Sequence, residues 1–271
     1  MINSYHTHLC FCKHAEGFSK DYVVKAIEFG MDEIGISDHM PVPDSFYLEE
    51  KFKKINNDTK MNFSEINNYL MDVISTKKLF EDKIKVFVGF ECEYYNEIIP
   101  IIKELKDKVD YLNLGLHHFY SEGRLYNSYS RHDMTKEGIK KYCKIACEAL
   151  DTKMFKCFVH PDLFLFGYRE NQFDSTCEEV TRQICEAAIR NNVYLEVNCN
   201  DARYCLKEGI EFRYPREEFW RIASGYKQLK IVIGSDAHKP ERLYDEAVIY
   251  VEDWVQRMGL NISKKIDIAK W

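Results

Sequence analysis

Much is missing from this sequence. No apolar run approaches the ~18–20 residues that a membrane-spanning helix needs. The opening residues, MINSYHTHLC, show no charged leader followed by an apolar stretch. Neither membrane spanning nor secretion is expected. No C-x-x-C pair occurs among the ten cysteines, which stand singly, as CFC at 10–12, or at the helical spacing of Cys143 and Cys147. That argues against thiolate zinc knuckles and a disulfide framework, and for reduced thiols packed in a cytoplasmic protein. No Pro-, Gly- or Ser-rich linker divides the chain, so residues 1–271 read as one domain. Nor is positive charge in surplus: 38 Lys and Arg stand against 44 Asp and Glu, a net charge of -6 without long single-sign blocks. A nucleic-acid polymer is therefore not an expected partner, although a small anionic substrate needs only a few local bases. No heptad pattern is legible, and the oligomeric state is left open.

What is present is a pattern. Hydrophobic residues make up 45% of the chain and charged residues 30%, enough apolar material for a substantial core. Short runs rich in Val, Ile, Leu and Tyr alternate with longer stretches of helical apolar spacing, the signature of repeated βα units. The expected strands are NSYHTHL (3–9), EIGIS (33–37), IKVFVGFE (84–91), YLNLGLH (111–117), KCFVH (156–160), VYLEVN (193–198) and KIVIGSD (230–236). Helices are expected over 21–30, over 63–80 with Ser64 as N-cap, over 96–108 with Pro100 opening a turn of helix, and over 135–150, 175–192, 216–226 and 242–259. Two irregular stretches, about 40–61 and 118–134, follow strands, where barrel enzymes carry substrate loops. The lysine-dense KFKKINNDTK (51–60) reads as a solvated loop.

Metal-capable residues fall at the ends of these strands: His6 and His8, Asp38 and His39, Glu91, His117 and His118, His160, Asp236 and His238. In a closed barrel of parallel strands those ends share one mouth, so residues far apart in sequence would meet in one cleft. On an extended strand, His6 and His8 share a face, as do Asp236 and His238, and Glu91 and Glu93. A carboxylate with two oxygens can bridge two cations. Imidazole and carboxylate ligands without thiolates suit Zn, Mn or Fe. Two or more such ions would supply a hydroxide at neutral pH and clamp the oxygens of a displacement at phosphorus.

The ordered segments HTHLCFCKH, SDHMP, GFE, GLHH, VHPD and GSDAH resemble the successive motifs of the polymerase-and-histidinol-phosphatase (PHP) superfamily, and within it the histidinol-phosphatase branch. The resemblance implies an α/β fold, a distorted seven-stranded TIM-like (β/α)7 barrel, with three divalent transition-metal ions at its mouth. It implies that His6, His8, Glu91 and Asp236 hold one ion, and that Glu91 bridges to a second held by His117 and His160. His14, His39 and His238 would hold the third. Glu91, Asp236, His238 and Asp38 are the residues expected in catalysis, Asp38 by orienting a ligand imidazole.

For substrate, the resemblance implies hydrolysis of a phosphate monoester, L-histidinol phosphate, by a metal-bridging hydroxide. The family's arginine after the fifth motif is missing: Phe166 stands near its place and Arg169 slightly beyond, in HPDLFLFGYRE. His118, Arg203 in a loop after the sixth strand, and Arg169 are the expected substrate contacts, with Arg131 and Arg216 as further cations. Cys10, Cys12 and Cys92 would pack beside the ligands, and Glu196 and Asn198 would line the cleft. Two alternatives stand beside this one: a PHP phosphoesterase for a nucleotide or other small ester, and a non-catalytic metal-binding barrel.

Overall fold

Six of the seven apolar runs form regular strands in the computed structural model, which describes residues 3–55, 59–170 and 172–268. They are β1 (Glu33–Ile36), β2 (Lys85–Cys92), β3 (Tyr111–Leu114), β6 (Cys157–Phe158), β7 (Tyr194–Asn198) and β8 (Ile231–Gly234), paired in parallel in the order β1-β2-β3-β6-β7-β8. These strands are apolar along most of their length because helices cover the outer face while the inner face fills the barrel.

The first run, residues 3–9, is the exception to regular pairing. It lies between the two ends of the sheet, bridging Ser4 to Ile34 on one side and Thr7 to Ala237 on the other. Gly35 N–H donates to Ser4 O at 2.8 Å and His8 N–H to Ala237 O at 2.9 Å. A regular ladder is missing because side chains take its place. The carbonyl of Tyr5 accepts from the hydroxyls of Ser37 (3.1 Å) and Tyr111 (2.9 Å) and from Asn113 Nδ2 (2.8 Å), and Thr7 Oγ1 donates to Gly35 O. Six regular strands thus stand where seven were expected, with the seventh stave held by isolated bridges and hydroxyls.

Around the sheet lie α1 (Ser19–Glu28), α2 (Asp44–Leu48), α3 (Ile66–Leu79), α4 (Ile99–Lys106), α5 (Lys136–Asp151), α6 (Phe164–Gly167), α7 (Ser175–Asn191), α8 (Asn200–Glu208), α9 (Glu217–Ala223) and α10 (Glu246–Arg257). The main core cluster packs sheet residues such as Ile34, Val88 and Leu195 against helix residues such as Tyr22, Tyr142 and Ile184. A second cluster, with Tyr5, Tyr111, Cys157, Val232 and Ile266, lies on the other face of the sheet. No described helix is long and apolar enough to cross a membrane.

Four local expectations are corrected. The cap ahead of α3 is Asn62 rather than Ser64: Glu65 Oε2 accepts from the Asn62 N–H at 2.8 Å, the reciprocal half of a capping box. The stretch 118–134 is not irregular throughout, since β4 (His118–Ser121) and β5 (Arg124–Asn127) form an antiparallel hairpin. The segment carrying Arg203 is helix α8, not a loop. Finally, α2 occupies part of 40–61, while residues 56–58 of the lysine-dense stretch lie outside the described residues.

Candidate metal centre

All the parallel strands run the same way, so their C-terminal ends deliver side chains to one mouth. His6 and His8 leave the first stave; Asp38 and His39 follow β1; Glu91 ends β2; His117 follows β3; His160 follows β6; Asp236 follows β8. His160 (φ 36°) and Asp236 (φ 47°) are both held in the left-handed region, which costs non-glycine residues free energy and is retained where the surroundings fix it. Gly115 leaves room for the centre. A Cβ there would come within 2.2 Å of Glu91 Oε1, so β3 can approach β2 at this point only without a side chain.

Four atoms converge first. His6 Nε2 and His8 Nε2 are 3.1 Å apart, His8 Nε2 is 3.2 Å from Asp236 Oδ1, and His6 Nε2 is 3.7 Å from it. Glu91 Oε2 is 3.6 Å from His6 Nε2 and 3.7 Å from His8 Nε2. A tetrahedral ion with bonds of about 2.1 Å separates its ligand atoms by roughly 3.4 Å, within the range of this set. Glu91 Oε2 and Asp236 Oδ1 are buried with imidazole nitrogens as near neighbours, His39 Nδ1 at 2.8 Å from Glu91 Oε2 and His8 Nε2 at 3.2 Å from Asp236 Oδ1. These contacts lack hydrogen-bond geometry, which leaves lone pairs for a cation.

The other oxygen of Glu91 faces elsewhere. Oε1 is 2.9 Å from His160 Nε2 and 3.4 Å from His117 Nε2, while His39 Nδ1 is 2.8 Å from Oε2. A third convergence lies on the side of His14, whose Nε2 is 2.9 Å from His238 Nε2. The Nδ1 of His14 faces the Cys12 carbonyl (2.9 Å) and that of His238 the Asp236 carbonyl (3.1 Å). Carbonyls only accept, so both rings carry the proton on Nδ1 and turn lone pairs toward each other. Two lone pairs at that distance repel unless a proton or a metal cation lies between them.

Behind the imidazoles stand carboxylates. His6 Nδ1 is 3.0 Å from both oxygens of Glu196, His8 Nδ1 is 3.4 Å from Asp38 Oδ1, and His117 Nδ1 is 3.1 Å from Glu93 Oε1. Each carboxylate fixes the tautomer that presents Nε2 to the site and raises the basicity of its ring. Burial disfavours charge on His6, but Glu196, Asp236 and Glu91 outweigh it and hold its pKa well above the ordinary histidine range. In His8 burial is likewise overcome, chiefly by Asp236 and Asp38. Glu91 and Asp236 are themselves held well below the carboxylate range, because the surrounding imidazoles outweigh their burial. The chemistry of this donor set, neutral imidazole nitrogens and ionised carboxylates with no thiolate in the first convergence, is that of a divalent transition-metal site.

These groups open into a cleft of about 400 Å³ lined also by Ile55, Thr59, Lys60, Tyr129, Asn200 and Arg242. His118 lines it, with burial lowering its pKa to about 4, so at neutral pH it offers a hydrogen bond rather than a charge. Asp38 does not reach the cleft. It is fully buried, accepting from the N–H groups of Leu9 and His39 and facing His8, so its part is to position that ring. Arg203 and Arg169 do not line the cleft either. Arg203 Nε donates to Asp245 and Nη2 to the Arg242 carbonyl; Arg169 lies on the surface, its carbonyl accepting from Arg131. Arg216 is paired with Glu218. Glu196 and Asn198 stand behind His6 and Asp236 rather than at the cleft wall. Phe166 lies under the Arg213 guanidinium, whose carbon is 4.3 Å from the ring centroid. Sequence reasoning missed Lys60 and Arg242, and both sit in polar surroundings where nothing distinguishes them from solvent-facing residues. A second concavity of about 460 Å³, between α8, α9 and α10, contains none of the ligands.

Fold and site together define a β/α barrel whose C-terminal strand ends bring together imidazole and carboxylate groups that could hold divalent metal. The chain belongs to the PHP domain family, whose pattern matches residues 4–200. Within that family it is similar to the histidinol-phosphatase branch. The histidinol-phosphatase of Bacillus subtilis (strain 168) is 26% identical over 260 residues, covering 86% of this chain and 92% of that protein. The crystal structure of histidinol phosphate phosphatase from Lactococcus lactis subsp. lactis, complexed with Zn, L-histidinol and phosphate, shares the fold. It superposes with a TM-score of 0.71 at 17% identity, over 98% of each chain.

Proposed function

We propose that this chain is a metal-dependent phosphoric monoester hydrolase, and that it converts L-histidinol phosphate and water to L-histidinol and phosphate, a step of histidine synthesis. One observation carries the proposal: the two oxygens of Glu91 face different histidine sets, Oε2 toward His6, His8 and His39 and Oε1 toward His117 and His160. A carboxylate so placed would let Glu91 serve two cations at once, the chemistry that suits displacement at phosphorus. The names of the Bacillus subtilis relative and the Lactococcus lactis neighbour support the choice of ester.

In this reading His6, His8, Glu91 and Asp236 would hold one ion, Glu91, His117 and His160 a second, and His14, His39 and His238 a third. When bound, such ions supply a nucleophilic water at neutral pH and offset charge on the phosphoryl oxygens; Zn, Mn and Fe all suit the donors. The chain's own residues fix the geometry. Glu196, Asp38 and Glu93 lock three imidazoles, and the His14 and His238 rings are locked by backbone carbonyls. That rigidity is what positioning catalysis requires. His118 contributes a neutral hydrogen-bonding ring at the cleft wall. All ten cysteines are free, which fits a cytoplasmic enzyme.

A second reading, a nucleotide or other small phosphate ester as substrate, is favoured by the charge of the cleft wall. Lys60 and Arg242 line it, and every carboxylate that lines it among the described residues, Glu91, Glu93 and Asp236, already faces a histidine. No described acid is left for the ammonium of L-histidinol phosphate. The deciding experiment compares kcat/KM of the metal-replete enzyme for L-histidinol phosphate with a panel of nucleotides and sugar phosphates. The first reading expects L-histidinol phosphate to stand clearly above the panel; a flat profile, or a nucleotide maximum, contradicts it.

A further inference from the structure

We propose that Arg242 is the side chain that binds the phosphoryl oxygens of the substrate, and that Arg203 is a positioning residue acting through it; the proposal rests on the phosphomonoesterase reading above. Arg242 lines the cleft beside His14, Asp236 and His238 and is half-buried. Its guanidinium has no hydrogen-bond or ion-pair partner among the described residues. The contrast with its neighbours is direct: Arg203 is paired with Asp245, Arg213 with Asp201 and Arg216 with Glu218. Lys60, the other cation of the wall, has Glu93 Oε1 3.6 Å from its Nζ, so its charge is already offset. A half-buried guanidinium with no counter-ion, next to a metal cluster, fits an oxyanion. Its planar fork matches two phosphoryl oxygens at once.

The backbone beneath Arg242 is built to hold it. It sits in the 3-10 turn Pro240–Tyr244 that follows His238, and its N–H donates to Lys239 O at 3.0 Å. Its own carbonyl accepts from Arg203 Nη2 at 2.8 Å. Arg203 Nε reaches Asp245, and Asp245 Oδ1 in turn accepts from Val248 N–H at 3.1 Å as the N-cap of α10. Arg203 thus ties α8 to the turn and to the start of α10. The arginine that the sequence marks for substrate reaches it, in this structure, through the backbone of another.

The test uses metal-loaded full-length protein and inorganic phosphate as the probe. Phosphate dissociation constants are measured by calorimetry and by inhibition of p-nitrophenyl phosphate hydrolysis, with metal content determined for each variant. Arg242→Ala is expected to weaken phosphate binding about 10- to 100-fold, the scale of a charge-assisted hydrogen-bonding pair, with metal content unchanged. Arg242→Lys, which keeps the charge and the fold but loses the fork, should fall between. Arg203→Ala should weaken phosphate binding in the wild-type background and not in the Arg242→Ala background, a non-additivity that a purely structural loss would not give. Unchanged phosphate affinity in Arg242→Ala overturns the proposal, as does a loss that occurs only together with loss of metal, or a wild-type protein that binds no phosphate. A wild-type protein that binds phosphate through Arg242 but hydrolyses no ester overturns the enzymatic reading and leaves this one standing.

Discussion

Replacing Glu196 with Gln removes a charge and little else. Both carboxylate oxygens lie 3.0 Å from His6 Nδ1, Oε1 also accepts from Asn198 Nδ2 at 2.7 Å, and the side chain is almost fully buried. Its fit against β8 leaves no room for a shift, because the backbone there is Gly234, where even a Cβ would come within 2.0 Å of Glu196 Oε2. The substitution keeps the shape, weakens the acceptor and lowers the basicity of the His6 ring. Partners of this type carry about 10- to 100-fold in metal affinity, or ~1.4–2.7 kcal/mol. Buried contact to both oxygens places Glu196→Gln toward the upper part of that range. A competition titration against a chromophoric chelator reads the affinity, and circular dichroism checks the fold. Metal affinity within about twofold of wild type, with the fold intact, would refute the assignment of Glu196 as the residue that orients His6.

The same geometry yields further expectations. Gly115→Ala should displace Glu91, since the new Cβ would meet its Oε1, and metal content should drop more than thermal stability; full metal loading would contradict this. Because carboxylates hold the pKa values of His6 and His8 well above the ordinary range in the metal-free protein, protons compete with ions for these rings. Ions must displace those protons, so binding releases protons and tightens as pH rises toward the raised pKa values. Calorimetry in buffers of different ionisation enthalpy detects the release, and a buffer-independent enthalpy would count against it. Asp162 Oδ2 accepts from Arg216 N–H (2.7 Å) and Trp220 Nε1–H (3.1 Å), and burial pushes its pKa up to about 7. Asp162→Ala strands two buried donors and should cost ~2–4 kcal/mol in urea unfolding, whereas Asp162→Asn retains an acceptor and should cost less; equal losses would show that the hydrogen bonds are not what the residue provides.

How much of this was legible in the sequence follows from which signals are local. Parallel strands covered on both faces read as short apolar runs, so all seven staves were found, and the metal-capable residues at their ends were found with them. The hairpin of β4 and β5 escaped because each strand is only four residues long, two aromatic or apolar residues between polar ends, too short for an alternation to show. Helix α8 escaped because NDARYCLKE starts immediately after a strand and buries only Asp201, Ala202 and Cys205. The first stave was found, but not its irregular pairing, which depends on Ser37, Tyr111 and Asn113, far from it in sequence, all reaching the Tyr5 carbonyl. The centre's histidines were legible because their spacing is local. The cleft's cations were not, since whether an arginine is paired is decided by residues such as Asp245, 42 positions from Arg203.

The central claim, a metal-dependent phosphomonoesterase turning on a bridging carboxylate, is tested most directly by one comparison. Metal-replete wild type and Glu91→Ala are assayed on p-nitrophenyl phosphate, with metal content and circular dichroism measured on the same samples. Hydrolysis by the wild type, with activity abolished and metal content reduced in a folded Glu91→Ala, is the expected result. A fully metal-loaded wild type that hydrolyses no small phosphate ester, or a Glu91→Ala variant that keeps its activity, would contradict the account.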